Sequence, residues 1–284
     1  GYQANLGVIK TLVNRGDSIF SDKLNHASLI DGSIISRANF KRYRHNDCES
    51  LENLLNESKS KSNLVVSDSL FSMDGDIANL QKIYSKVQNH GGLLLVDEAH
   101  ALGVYGENGR GLVNKSSLNK KLNTFITGTF GKAVGTFGAF FSGDKDSVDY
   151  IIQKARSYIY STSLPINAVE ATRKSLKIVE EENWRREKLF SLINYFRKNI
   201  NKSGFSVLDS SSQIQALLIG SSKDALYLSE ELFKNGIYIP AIRPPTVEEG
   251  KSRLRISITT DHQESDIDHL INILHTISRN LVQS

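Results

Sequence analysis

The chain has 284 residues, 39% hydrophobic and 23% charged, the make-up of a globular protein able to bury one large core or two. Its formal charge is +4. The basic residues are scattered, with short pairs at Lys120-Lys121 and Arg185-Arg186, so there is no nucleic-acid-binding stripe, although the balance suits an anionic substrate or carrier. A single cysteine, Cys48, rules out an intramolecular disulfide and a cysteine-based metal site. No apolar run approaches the roughly 18 residues of a membrane span, and no signal peptide is visible. No metal, nucleic acid or membrane partner is expected, and a reducing, cytoplasmic location is.

The opening residues Gly1-Tyr2-Gln3-Ala4-Asn5 lack an initiator Met and run straight into a helical pattern, so the chain is expected to be cut inside a domain. Strands are predicted at 18–22, 39–43, 64–69, 93–97, 124–129 and 139–142. Helical patterns lie between them, at 4–13, 28–36, 49–57, 79–88 and 145–159. Such alternation predicts a mostly parallel sheet covered on both faces. The run Gly92-Leu93-Leu94-Leu95-Val96-Asp97 suits a central strand buried on both sides, with its carboxylate at the end where open α/β sheets bind ligands.

From Pro165 the pattern changes. One long polar helix is predicted to about residue 201, then strand-like segments at 205–208, 214–219, 237–239 and 254–258. A helix over 221–234 ends before Gly236, a suitable C-cap. The last helix is predicted to start after Thr260, with Gln263 at capping-box spacing and Ile267, Leu270, Ile271, Leu274 and Ile277 on one apolar face. The expected organisation is a large α/β domain over 1–175 and a smaller α+β domain over 176–284.

Three local patterns carry chemistry. In Thr127-Gly128-Thr129-Phe130-Gly131-Lys132 a strand ends in small and hydroxyl residues and presents one lysine between Gly131 and Gly135. Small neighbours admit a planar group, hydroxyls and free N–H groups at a turn hold a phosphate, and a deprotonated lysine condenses with an aldehyde. By itself the segment also reads as a surface lysine in a glycine-rich turn. It is no P-loop, because Ile126 stands where the first glycine belongs and Ala133 where the Ser/Thr belongs.

The second pattern is Asp97-Glu98-Ala99-His100. A buried strand-end acid needs a cationic partner, such as a protonated pyridine nitrogen; a helix cap or core hydrogen bond is the plainer alternative. A helicase box would require an upstream phosphate loop, and there is none. Third, Asn25-His26-Ala27-Ser28 follows a strand ending at Asp22, and Ser72 follows another. His26 suits stacking on a flat ring, or a purely structural place. Taken together, Tyr2, His26, Ser72, Asp97, His100, Thr129 and Lys132 all fall at or near strand ends of one sheet. An acid, a histidine three residues on and a lysine 35 residues after the acid are what a ring-nitrogen partner and a Schiff-base lysine need.

At these motifs the chain resembles the α-oxoamine synthases, fold-type I pyridoxal 5'-phosphate (PLP) transferases that join an amino acid to an acyl thioester with loss of CO2. The resemblance runs from Gly1 to about residue 278 and rests on Asp22-Lys23-Leu24-Asn25-His26-Ala27-Ser28, Phe71-Ser72-Met73-Asp74-Gly75, Asp97-Glu98-Ala99-His100 and Thr129-Phe130-Gly131-Lys132. It implies that Lys132 holds PLP as a Schiff base and that Asp97 pairs with the ring nitrogen. His26 and Ala99 would cover the two ring faces, and His100 and Ser72 would lie near the ring's phenolic oxygen. Thr129 and the backbone of Gly1 and Tyr2 would hold the phosphate. Arg255 would bind the amino-acid carboxylate, a bidentate match for guanidinium, and Thr246 would contact substrate. It also implies a homodimer and a missing N-terminal arm.

Tyr160-Ser161-Thr162-Ser163-Leu164-Pro165, Ile214-Gln215 and Ala241-Ile242-Arg243-Pro244-Pro245-Thr246-Val247 resemble the branch that joins L-alanine to a pimeloyl thioester, on CoA or acyl carrier protein. A glycine- or serine-using branch and a non-catalytic accessory subunit of the same fold are the alternatives. No role is assigned to Arg243.

Overall fold

The computed structural model describes residues 1–282. They divide into two compact units, one formed by Gly1–Phe71 with Ile77–Glu182, the other by the loop Ser72–Asp76 with the chain from Asn183 onward.

The first unit contains, in chain order, α1 (Tyr2–Leu12), β1 (Ser18–Asp22), α2 (Ala27–Ser36), β2 (Asn39–Tyr43), α3 (Cys48–Asn56), β3 (Asn63–Asp68), α4 (Leu80–Asn89), β4 (Leu93–Asp97), α5 (Leu112–Lys115), β5 (Thr124–Thr129), β6 (Ala139–Ser142), α6 (Lys145–Lys154), α7 (Arg156–Ile159) and α8 (Ile166–Glu181). Its sheet has the order β2-β1-β3-β4-β5-β6. The first five strands pair in parallel and β6 runs antiparallel to β5. Parallel pairing puts the carboxyl ends of β1, β3, β4 and β5 along one edge.

The predicted α/β architecture follows from the residues. Val65, Val66, Leu94, Leu95 and Val96 are fully buried, as a central strand covered on both faces requires. Val8, Ile9, Val13, Leu29 and Ile151 pack with Ile19, Leu64, Val66, Leu95 and Phe125 into one core. Helix starts are secured by Asp47, Asn79 and Asp144, whose side chains accept from backbone N–H groups of α3, α4 and α6. The helix expected over 145–159 is two helices, because Ala155 is extended (φ -71°, ψ 102°).

The second unit contains α9 (Asn183–Asn199), β7 (Ile214–Gly220), α10 (Ser222–Lys234), β8 (Ala241–Ile242), β9 (Ser252–Ser257) and α11 (Glu264–Val282), with an antiparallel sheet ordered β7-β9-β8. The single long helix expected from Pro165 is broken at Glu182 (φ -100°, ψ 68°), where the first unit ends; a split between residues 175 and 176 would fall inside α8. The strand expected over 205–208 is one isolated bridge, Val207 to Leu217. The strand expected over 237–239 comes later, as β8, after Pro240, which has no N–H to donate to a ladder. The last helix begins at Glu264 rather than just after Thr260. The cap forms between Gln263 and Asp266, whose carboxylate accepts the Gln263 N–H at 2.8 Å. Its expected face is buried at Ile267, Leu270, Ile271, Leu274 and Ile277. Among the described residues no helix is long and apolar enough to cross a membrane.

Candidate active site

The strand ends of the first unit gather acids. Asp68, Asp97 and Thr127 are register partners across β3, β4 and β5, so their side chains stand in a row. Asp97 is 5% exposed. It accepts from the Asn5 side-chain amide at 2.6 Å and from the Ala99 N–H at 2.8 Å. Both donors are neutral, so the buried carboxylate has a place for a cation such as a protonated ring nitrogen. Asp68 accepts the His26 N–H at 2.7 Å. Burial, and then the charge of Asp97, push the Asp68 carboxyl well above the usual carboxylate range.

His26 is the N-cap of α2. Its Nδ1 accepts the Ser28 N–H at 3.2 Å and lies 2.8 Å from Ser28 Oγ. Burial holds its pKa below that of a free imidazole, against the pull of Asp97. The loop carrying it is tied down by Asn25, which donates to Ser21 Oγ and to the Val66 carbonyl and accepts the Asp68 N–H, each at 2.8 Å. Tyr2 meets His26 edge to face, with ring centroids 6.4 Å apart, and its hydroxyl bonds Asp31.

After β5 the chain folds tightly. The Gly135 N–H donates to the Lys132 carbonyl at 2.9 Å and the Thr136 N–H to the Phe130 carbonyl at 2.8 Å, with Gly135 at φ 69°, a region glycine enters freely. This turn presents Lys132, whose Nζ lies 2.8 Å from His100 Nε2. Thr129 Oγ1 accepts from the Gly131 N–H at 3.3 Å. The Gly1 backbone lies so near that a Cβ there would be 3.3 Å from Thr129 Cβ. An exposed amine, a hydroxyl with adjacent N–H groups and a buried acid suit an aldehyde, a phosphate and a ring nitrogen, the three handles of PLP.

In the second unit Arg255 is the counterpart feature. Its Nε donates to the Ser72 carbonyl at 2.6 Å and one Nη to Ser257 Oγ at 3.0 Å, and burial lowers its pKa. Thr246 closes a turn by donating its N–H to the Arg243 carbonyl at 3.0 Å. The expected residues thus form two groups: Gly1, Tyr2, His26, Asp97, Ala99, His100, Thr129 and Lys132 in the first unit, Ser72, Thr246 and Arg255 in the second. Sequence reasoning missed three residues of the first group's surroundings. Asp68 ends a valine-rich strand just as Asp97 does, a signal that was available. Asn5 carried none, since α1 has no pattern that marks it. Glu98 stood in view inside its motif; it is fully buried behind the site, where the Leu112 and Val113 N–H groups and the Ser69 hydroxyl bond it.

A mostly parallel sheet with this acid, histidine and lysine at its carboxyl edge defines a fold-type I PLP-dependent transferase. The chain belongs to the aminotransferase class I and II family, whose model matches residues 1–274. It is 47% identical over 279 residues to an 8-amino-7-oxononanoate synthase of Saccharophagus degradans, covering 98% of this chain and 70% of the relative. A second such synthase, of Nitrosococcus oceani, is 47% identical over 274 residues, covering 96% of this chain and 73% of the relative. Among solved structures, a serine palmitoyltransferase from S. paucimobilis with bound PLP–myriocin matches with TM-score 0.94 and 31% identity, over 100% of this chain and 72% of that one. An 8-amino-7-oxononanoate synthase from Francisella tularensis matches with TM-score 0.85 and 31% identity, over 99% and 81%.

Proposed function

We propose that the chain catalyses the PLP-dependent condensation of L-alanine with a pimeloyl thioester, giving 8-amino-7-oxononanoate, CO2 and the free thiol, a step of biotin biosynthesis. The observation that carries this is the 47% identity to synthases of that name across nearly the whole chain, joined to a sheet edge that holds Asp97, His100 and Lys132 together.

Bound PLP supplies an electron sink for the pair released at the amino-acid Cα. Lys132 would be the amine that holds the aldehyde group of the cofactor and, as a free amine, the base placed to take the Cα proton. Asp97 keeps a proton on the ring nitrogen, which its burial among neutral donors makes strongly favourable. His26 and Ala99 would cover the ring faces, and His100 and Ser72 would be the residues for the phenolic oxygen. Thr129 with the backbone of Gly1 and Tyr2 binds phosphate. Arg255 takes the alanine carboxylate, and Thr246 contacts the substrate. The first unit, with its boundary at Glu182 rather than at 175, would be the cofactor-binding domain of a cytoplasmic homodimer, with the acyl group delivered on CoA or acyl carrier protein.

One observation favours a second reading. Serine palmitoyltransferase backbones superpose with a TM-score of 0.94 against 0.85 for the Francisella tularensis synthase, which supports a serine-using α-oxoamine synthase. Product masses decide between them. The full protein with PLP is offered alanine, glycine or serine, each with pimeloyl-, acetyl- or palmitoyl-CoA. Product from alanine and pimeloyl-CoA alone supports the proposal, and product from serine and palmitoyl-CoA refutes it. Lys132→Ala should remove the visible absorbance of lysine-bound PLP and the turnover. A variant that keeps both would show that Lys132 is not the amine.

A further inference from the structure

We propose that Asn5 and Ser28 are positioning residues that hold His26 as the neutral imidazole with its proton on Nε2, while Asn5 grips Asp97 with the same amide. The inference deepens the proposed function and rests on His26 facing the cofactor there.

The donors of this network run in one direction. The Ser28 backbone N–H only donates, and it points at His26 Nδ1 at 3.2 Å. Nδ1 therefore offers its lone pair, and in the neutral ring the proton sits on Nε2. Ser28 Oγ lies 2.8 Å from the same nitrogen. Asn5 Nδ2 donates to that hydroxyl oxygen at 2.9 Å, which directs the hydroxyl proton away from Asn5 and on to Nδ1.

The orientation of the Asn5 amide is fixed independently at its other contacts. Nδ2 also donates to Asp97 Oδ2 at 2.6 Å, and Oδ1 accepts from Thr127 Oγ1 at 2.7 Å. Flipping the amide would set its oxygen against a carboxylate oxygen and its NH2 against a hydroxyl already directed at it. Asn5, Ser28 and Thr127 are each 1% exposed, so water does not substitute for a lost partner. The chain of donors thus passes from Thr127 through Asn5 and Ser28 to His26, with a branch at Asp97.

The charges around the ring do not settle its state alone. Asp97 and Asp31 favour a cationic ring and Lys132 opposes it, and Asp68 is occupied by the His26 backbone N–H. Two donors converging on Nδ1 tip the balance to the neutral form, in the direction burial also favours. The outcome is an uncharged ring able to lie against a cofactor, with one N–H left to donate. A neutral His26 does not compete for Asp97 with a ring nitrogen.

The test is nitrogen NMR of the full protein with 15N-labelled histidine, with and without PLP, the His26 signals being assigned by their loss in His26→Gln. The wild type should show the neutral Nε2–H tautomer between pH 7 and 8. Ser28→Ala should lower the Nε2–H to Nδ1–H ratio about fivefold, the worth of one hydrogen bond, and raise the His26 pKa, and Ser28→Thr, which keeps the hydroxyl, should restore both. Asn5→Ala should act in the same direction as Ser28→Ala. A wild-type ring protonated on Nδ1 overturns the inference even if no variant folds, as does Ser28→Ala with tautomer and pKa unchanged. The measurement uses no substrate. A normal tautomer with no turnover of alanine and pimeloyl-CoA would count against the proposed function alone.

Discussion

Glu98→Gln should gain stability relative to the wild type as pH rises from acid to alkaline. Glu98 is fully buried, and its two oxygens accept from Leu112 N–H, Val113 N–H and the Ser69 hydroxyl. Burial is the largest influence and the charge of Asp97 adds to it, so the carboxyl rises from about 4.5 to about 7 although three donors pull it down. The unfolded chain releases this proton near pH 4.5 and the folded chain near pH 7. Between those values the native state binds more protons, so stability falls as pH rises and the loss is complete above about pH 7.

The shift corresponds to a loss on the order of 3 kcal/mol. Glutamine is nearly isosteric and does not titrate, but its NH2 accepts nothing, so it leaves the donors of one Glu98 oxygen unsatisfied at a pH-independent cost of about 1–3 kcal/mol. Its stability relative to wild type should therefore rise by about 3 kcal/mol between about pH 4.5 and pH 8, from a deficit set by the unsatisfied donors. Urea unfolding of the cofactor-free protein followed by far-UV circular dichroism measures this, since Trp184, the one tryptophan, lies in the other unit. Carboxyls that do not interact with Glu98 titrate alike in both proteins and cancel. A difference that stays flat, or that favours the wild type more as pH rises, would mean that the three donors outweigh burial.

Three further outcomes are expected. Gly75→Ala should destabilise the second unit by about 3 kcal/mol or more, because φ is 78° and the new Cβ would sit 2.1 Å from the Ile214 carbonyl oxygen; the urea midpoint read by Trp184 fluorescence checks it. Asp74→Ala should cost about 3–5 kcal/mol in the same assay, since it strips the carboxylate from Arg253, whose side chain is 5% exposed. Asp74→Asn should cost less. Asp97→Asn should retain part of the PLP absorbance and lose about a hundredfold or more in turnover, because an amide does not keep the ring nitrogen protonated.

What was legible in the sequence is what depends on short-range pattern. The six strands of the first sheet announce themselves as apolar runs between turn residues; five match residue for residue, and the third is displaced by one. Parallel topology then brings their carboxyl ends to one edge, so that Asp97 and the turn carrying Lys132, 35 residues apart, lie at the ends of neighbouring strands. Marginal elements were less legible. The 205–208 segment has a strand's composition, yet it meets β7 at a single bridge. The break at Glu182 lies in a run that reads as continuously helical.

Only the tertiary structure decided the support of the site. Asn5, Ser28, Asp97 and Thr127 come from α1, α2, β4 and β5, and their hydrogen bonds depend on how those elements pack. The loop Ser72–Asp76, embedded in the first unit's stretch of chain, belongs to the second unit, where Arg253 and Arg255 bind it. Local periodicity records which face of an element is buried. It does not record which polar side chain, such as Asn5 for Asp97 from 92 residues away, satisfies a buried acid, because that partner is selected in three dimensions by the cost of leaving the acid unpaired.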